Sequence, residues 1–181
     1  MYWKTAGIEN TGETVELALQ KANEYKINDI VVASYSGETA KLLAGKVDNV
    51  ICVTHANGYA APGVSDMAPG MRQELIDQGV KVLTTTHVLS GAERGLSRKF
   101  SGAYPVEIIA HTLRMFGQGV KVCVEVAVMA LDAGLVPHGK DIIAIGGTAH
   151  GVDAAIVIRP AHASNILDTY IAEIICKPSR R

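Results

Sequence analysis

Charge of one sign is missing from this sequence. Its 17 lysines and arginines nearly balance 18 aspartates and glutamates, for a net charge of −1. That leaves no basic excess to draw in nucleic acid or an anionic membrane. Ser179-Arg180-Arg181 is a basic tip, too short to make a binding patch. Cysteine is scarce as well. Cys52, Cys123 and Cys176 are odd in number, unclustered and set in apolar runs, so they read as reduced thiols of a cytoplasmic protein and not as a disulfide or zinc framework. No apolar run reaches the ~18 residues of a membrane span, and the opening MYWKTAGIEN lacks the apolar stretch of a secretory leader. Repeats, low-complexity tracts and linkers are absent, so one soluble domain over residues 1–181 is expected. Two nucleotide signatures are missing too: no Gly-Lys-Ser/Thr closes a glycine loop, and there is no Gly-x-Gly-x-x-Gly.

What is present alternates. Val15, Leu17, Ala18, Ala22 and Tyr25 recur near helical spacing and predict an amphipathic helix over 14–25, with Thr11 or Glu13 near its start. Apolar runs at 29–34, 50–54, 81–85, 141–145, 154–159 and 170–176 predict strands. The run at 29–34 is β-branched and continuous, the mark of a strand covered on both faces. Helices are predicted over 37–45, 71–78 and, with proline in its first turn, 105–116. Residues 57–70 are rich in glycine and proline and read as a loop. Over 120–131 the valines alternate like a strand, but the length and the following Gly134 favour a buried helix; a face for a second copy of the chain stays open there. Residues 87–104 break the rhythm, with Gly91, Gly95, Gly102 and the cations Arg94, Arg98 and Lys99. They read as a long loop, either a solvated face or a lid over an anion. The pattern calls for a three-layer α/β/α sandwich around a mostly parallel sheet.

The strand exits carry the chemistry. The first is Ser34-Tyr35-Ser36-Gly37, the second Thr54-His55, the third Thr85-Thr86-His87, and the fourth Gly146-Gly147-Thr148-Ala149-His150-Gly151. In an open parallel sheet such exits share one edge, where ligands bind at the topological switch point. Ser36-Gly37-Glu38-Thr39 opens a predicted helix, so free N–H groups and hydroxyls would cradle a phosphate; an ordinary N-cap by Ser36 is the alternative. Gly146, Gly147 and Gly151 point to close approach by a flat ligand, or else to a tight turn between sheet elements. His55, His87 and His150 raise a zinc site, but no carboxylates are placed to support one and no metal is expected. Asp153 either orients the strand after it or bonds a ligand hydroxyl. His111 and His138 read as solvated or helix-face histidines, and His162 as a loop residue.

Two stretches carry a likeness. DIVVASYSGETAKLLAGKVDNVICVTH and ALDAGLVPHGKDIIAIGG…GVDAAIVIRP resemble, in order, the C-terminal domain of pyruvate kinase, while residues 84–119 depart from it as an insertion would. The resemblance extends to stand-alone, mostly archaeal proteins built on this domain. It implies no pyruvate kinase activity, because the barrel that binds that enzyme's substrates and metals has no counterpart here. In pyruvate kinases that use sugar-phosphate effectors the serine-glycine turn grips the phosphate, and Ser34, Ser36, Gly37 and Thr39 stand at the matching positions. For the stand-alone proteins the resemblance implies flavin mononucleotide, its phosphate in that turn. Thr54, His55, Thr85, Thr86 and Thr148 could then bond the ring's polar edge, with His87 beside them. A flavin would carry the chemistry itself. Two functions are therefore expected of this sequence. One is flavin mononucleotide binding with a redox role, and the other is sensing of a sugar phosphate or nucleotide without catalysis.

Overall fold

The computed structural model describes residues 1–180, so Arg181 of the basic tip lies outside it. The apolar runs form β2 (Asp29–Ala33), β3 (Asn49–Val53), β4 (Lys81–Leu83), β5 (Ile142–Gly146), β6 (Ala154–Arg159) and β7 (Tyr170–Pro178). A short β1 (Tyr2–Trp3), unmarked in the sequence, completes one sheet of order β1-β7-β6-β5-β2-β3-β4. All neighbours pair in parallel except β5–β6 and β6–β7, so β6 alone runs against the rest.

Side chains alternate faces along a strand, which sorts the continuous runs into two cores. Ile30, Val32, Val50, Cys52, Ile143 and Ile145 face one core, and Val31, Ile51, Val53, Ile142 and Ala144 face the other. The first core is covered by α1 (Thr11–Tyr25) through Val15, Ala18 and Ala22, and by Leu75 of α3 (Pro69–Asp77). The second is covered by α6 (Gln118–Asp132), whose Val120, Cys123, Val124 and Ala127 pack on β5, β6 and β2. Two helical layers therefore sandwich the sheet. The alternating valines of 120–131 belong to this helix, and all but the half-buried Val122 are buried within the chain. All three cysteines are free and buried. No helix among the described residues is long and apolar enough to cross a membrane.

Several boundaries differ from expectation. The helix expected over 37–45 is the single-turn α2 (Glu38–Lys41), followed by turns. The segment read as a loop over 87–104 contains α4 (Gly91–Phe100), which buries no residue and so carried no core pattern to announce it. α5 (Pro105–Leu113) starts with its proline and runs into a 3₁₀ turn at Arg114–Phe116. Lys99 of the basic cluster lies over its neighbour, with Nζ 5.5 Å from the Phe100 ring centre.

Candidate functional site

The chain leaves β2 for β3 and β4 on one side, and β5 returns on the other side of β2. The carboxyl ends of β2 and β5 thus flank the switch point, where an open α/β sheet leaves a crevice. The four expected exits do converge on this edge. Two adjoining cavities open there, about 820 Å³ and about 370 Å³ in volume. Both are bounded by Ala33, Ser34, Tyr35 and Gly151.

Ser36, Glu38 and Thr39 line the smaller cavity with Ser34. Ser34 is buried, and its Oγ accepts from the Ala40 amide at 3.4 Å, which ties the turn to α2. Gly37 has φ of +95°, a conformation that side chains rarely adopt, and the space where a Cβ would stand is filled by the Met71 side chain. The glycine is thus explained by the turn and by packing on α3.

The larger cavity has an aromatic wall. The Tyr35 and His55 rings stack with centroids 5.0 Å apart and planes 11° apart. Tyr59 covers the imidazole at 4.0 Å, and His87 lies 5.8 Å from it. His55 Nδ1 is 2.5 Å from Asp66 Oδ2, which leaves Nε2 as the ring nitrogen for the cavity that His55 lines. The Tyr35 hydroxyl is hydrogen-bonded to His150 Nδ1 at 2.7 Å, bridging the exits of β2 and β5. Tyr35 therefore separates His150 from His55 and His87, and the three imidazoles do not share a point. Among the described residues no group of three or more His, Cys, Asp or Glu is arranged to hold a metal. Burial lowers the pKa of His87 against the opposing pull of Glu125, which favours the neutral ring.

The opposite wall is cationic. Arg94 and Arg98 of α4, Arg114 of the 3₁₀ turn and Lys121 of α6 all line the larger cavity. Lys121 and Glu125 are each 5% exposed and form an ion pair one helical turn apart. Glu125 Oε1 also accepts from the Leu89 amide at 3.0 Å. Burial lowers the Lys121 pKa in spite of that pairing.

Not every expected residue reaches a cavity. Thr86 lines the larger one, but Thr85 and Thr148 line neither. Thr54 lines it too, yet its hydroxyl is engaged by Thr84 Oγ1 at 2.7 Å and by the His55 carbonyl at 2.8 Å, and Arg72 donates to the same Thr84. The glycines of the fourth exit serve packing. A Cβ on Gly146 would lie 2.6 Å from the Gly119 carbonyl oxygen of α6, one on Gly147 would meet the Gly151 carbonyl, and one on Gly151 would meet Thr11. Residues 147–153 are a β5–β6 hairpin connection, so the tight turn alone asks for glycine here, while Gly147 and Gly151 also line the larger cavity. Asp153 is fully buried, its Oδ2 accepting from the Gly7 amide at 3.1 Å and its carbonyl from Trp3 Nε1 at 2.8 Å, so it orients backbone, and it lines neither cavity. Burial holds its carboxyl above the usual range.

Tyr35, Tyr59, Asp66, Arg114, Lys121 and Glu125 were not singled out from the sequence. Tyr35 had a signal, since it stands inside the first exit. Asp66 had none, being one carboxylate in a glycine-rich loop eleven residues beyond His55.

These features define a three-layer α/β/α protein with a two-chambered cleft at the switch point of a mostly parallel sheet. The family model of the pyruvate kinase alpha/beta domain matches residues 13–158 and runs through the segment that departs in pattern. The chain belongs to that family.

Proposed function

We propose that this protein binds flavin mononucleotide across the carboxyl edge, with the phosphate over the 34–39 turn and the ring in the larger chamber. The observation that carries this reading is the shared boundary at Ser34 and Tyr35. A hydroxyl-lined chamber of about 370 Å³ adjoins an aromatic-walled one of about 820 Å³, and the larger lies in the range, roughly 300–1,000 Å³, that takes a drug-sized ligand. The residues fit the group in kind. Ser36 and Thr39 offer hydroxyls at one end, beside Glu38, and Tyr35 and Tyr59, with the His55 ring packed against both, offer an aromatic wall at the other. A bound flavin would supply electron transfer. Within the chain, Asp66 fixes His55 so that Nε2 can hold or deliver a proton at the ring's edge. The one-turn α2 contributes little helix dipole, so the hydroxyls carry the phosphate end.

The second reading, a sugar-phosphate or nucleotide sensor without catalysis, is favoured by the cations of the larger chamber. Titration of purified protein with flavin mononucleotide, followed by quenching of flavin fluorescence, separates the two. Saturable binding is expected, and replacing Ser36 and Thr39 together by alanine should weaken it by about 1.5–3 kcal/mol for each hydrogen bond to the charged group that is lost. Absence of binding rejects the flavin and leaves the sensor.

A further inference from the structure

We infer that the larger chamber contains a second oxyanion subsite, formed by Arg94 and Arg98 of α4, that takes a phosphate or carboxylate group of a small ligand. It lies in the chamber assigned above to the flavin ring, so it rests on that reading only for who brings the anion.

The sidedness of α4 is the first support. Its Glu93 Oε2 accepts from the Glu107 amide at 3.0 Å, and its Ser97 hydroxyl donates to Glu107 Oε1 at 2.8 Å. Those two residues, four apart, fasten the helix to α5. Arg94 and Arg98, also four apart, line the chamber one position round. Since α4 buries no residue, core packing does not account for where it sits. The polar tether to α5 holds two guanidinium groups at the mouth of the cleft.

Charge balance is the second support. Lys121 and Glu125 are paired with each other and Arg114 Nε donates to Gln118 Oε1, so the charge an anion would meet in this chamber is that of the Arg94 and Arg98 guanidinium groups. The Glu125 carboxylate is already occupied by Lys121 and the Leu89 amide. Clustered like charges oppose folding unless an anion joins them. Guanidinium groups suit a planar or tetrahedral oxyanion, because they donate through two parallel N–H groups.

The test uses the full chain, inorganic phosphate as probe, and the size-conserving double variant Arg94→Gln/Arg98→Gln. Phosphate binding is measured by calorimetry at low salt, with and without flavin mononucleotide, and circular dichroism checks the fold. A loss of about tenfold or more in phosphate affinity is expected, the scale of one charge-assisted hydrogen bond. If flavin affinity is unchanged in the variant, the anion belongs to a second ligand. If phosphate competes with the flavin and the variant loses both, the subsite stands but holds the flavin's own phosphate, and the turn at 34–39 is released from that role. Equal phosphate affinity in variant and wild type, or no phosphate binding by the wild type, overturns the subsite whatever the flavin does.

Discussion

Replacing Lys121 by methionine tests the polar wall of the cleft through stability. The wild-type pair sits where water hardly reaches, each residue 5% exposed. Glu125 spreads its two oxygens over the Lys121 ammonium and the Leu89 amide. Removing the ammonium leaves a buried carboxylate with one N–H partner, a defect of about 3–5 kcal/mol. Adding Glu125→Gln to that variant removes the orphaned charge and keeps an oxygen for Leu89, so the double variant should lie within about 1–2 kcal/mol of wild type. The lowered pKa of Lys121, with burial outweighing Glu125, argues the same way: desolvation already opposes the pair. Its sign also gives a pH trend. A lysine that sheds its proton more readily when folded destabilises the charged form, so this group's share of stability rises as pH climbs towards 10.5. Equilibrium urea unfolding is the assay, read by the fluorescence of Trp3, the one tryptophan, which is buried and hydrogen-bonded to the Asp153 carbonyl. A single variant losing less than about 1 kcal/mol, or a double variant as unstable as the sum of the singles, refutes the reasoning.

Three further outcomes are expected. The folded state holds the His87 pKa below 6.5, so the unfolded chain takes up the proton first and stability falls as pH drops through that window; urea midpoints between neutral and mildly acidic pH should shift less in His87→Gln than in wild type. Burial pushes the Cys52 thiol up to about 12 and Cys176 to about 11, and Cys123 higher than its ordinary value; a thiol reagent should therefore label no cysteine in native protein and all three after denaturation. Gly146→Ala would set a methyl group 2.6 Å from one backbone atom of α6 and 2.9 Å from another, lowering stability by about 1–3 kcal/mol. Gly70→Ala, which meets nothing within 4 Å, should stay within about 0.5 kcal/mol of wild type, both variants being read by the same urea unfolding.

The parts of the fold that showed in the sequence are those whose residues are buried on every side. Ile30, Val31 and Val32 read as a two-faced strand because each has a core to fill. The helix over 118–132 was read through its strand-like valines because its length and Gly134 outweighed the alternation. The parts that did not show are held by other means. α4 is fixed by polar contacts to α5, β1 by pairing with residues some 175 positions away, and α2 ends where glycine 45 and the tight turns begin. The direction of β6 was within reach, since the seven residues from 147 to 153 cannot span a parallel crossover, which takes a dozen or more. At the site, the strand exits were legible because the sheet's geometry gathers them. The glycines were ambiguous, because packing against α1 and α6 and closure of the hairpin ask for the same residue that a ligand would.

The hairpin between β5 and β6 ties the cleft to the extremities of the chain. Val152 receives its support from Thr11, Asp153 from Trp3 and Gly7, and Trp3 in turn is bonded to Ser179. Met1 donates to the Ile175 carbonyl at 2.7 Å. The hairpin behind the cleft is thus held by Trp3, Gly7 and Thr11 and, through Trp3, by Ser179. A growing chain can complete this support only after residue 179 has been made, later than β2 and β5, which border the cleft.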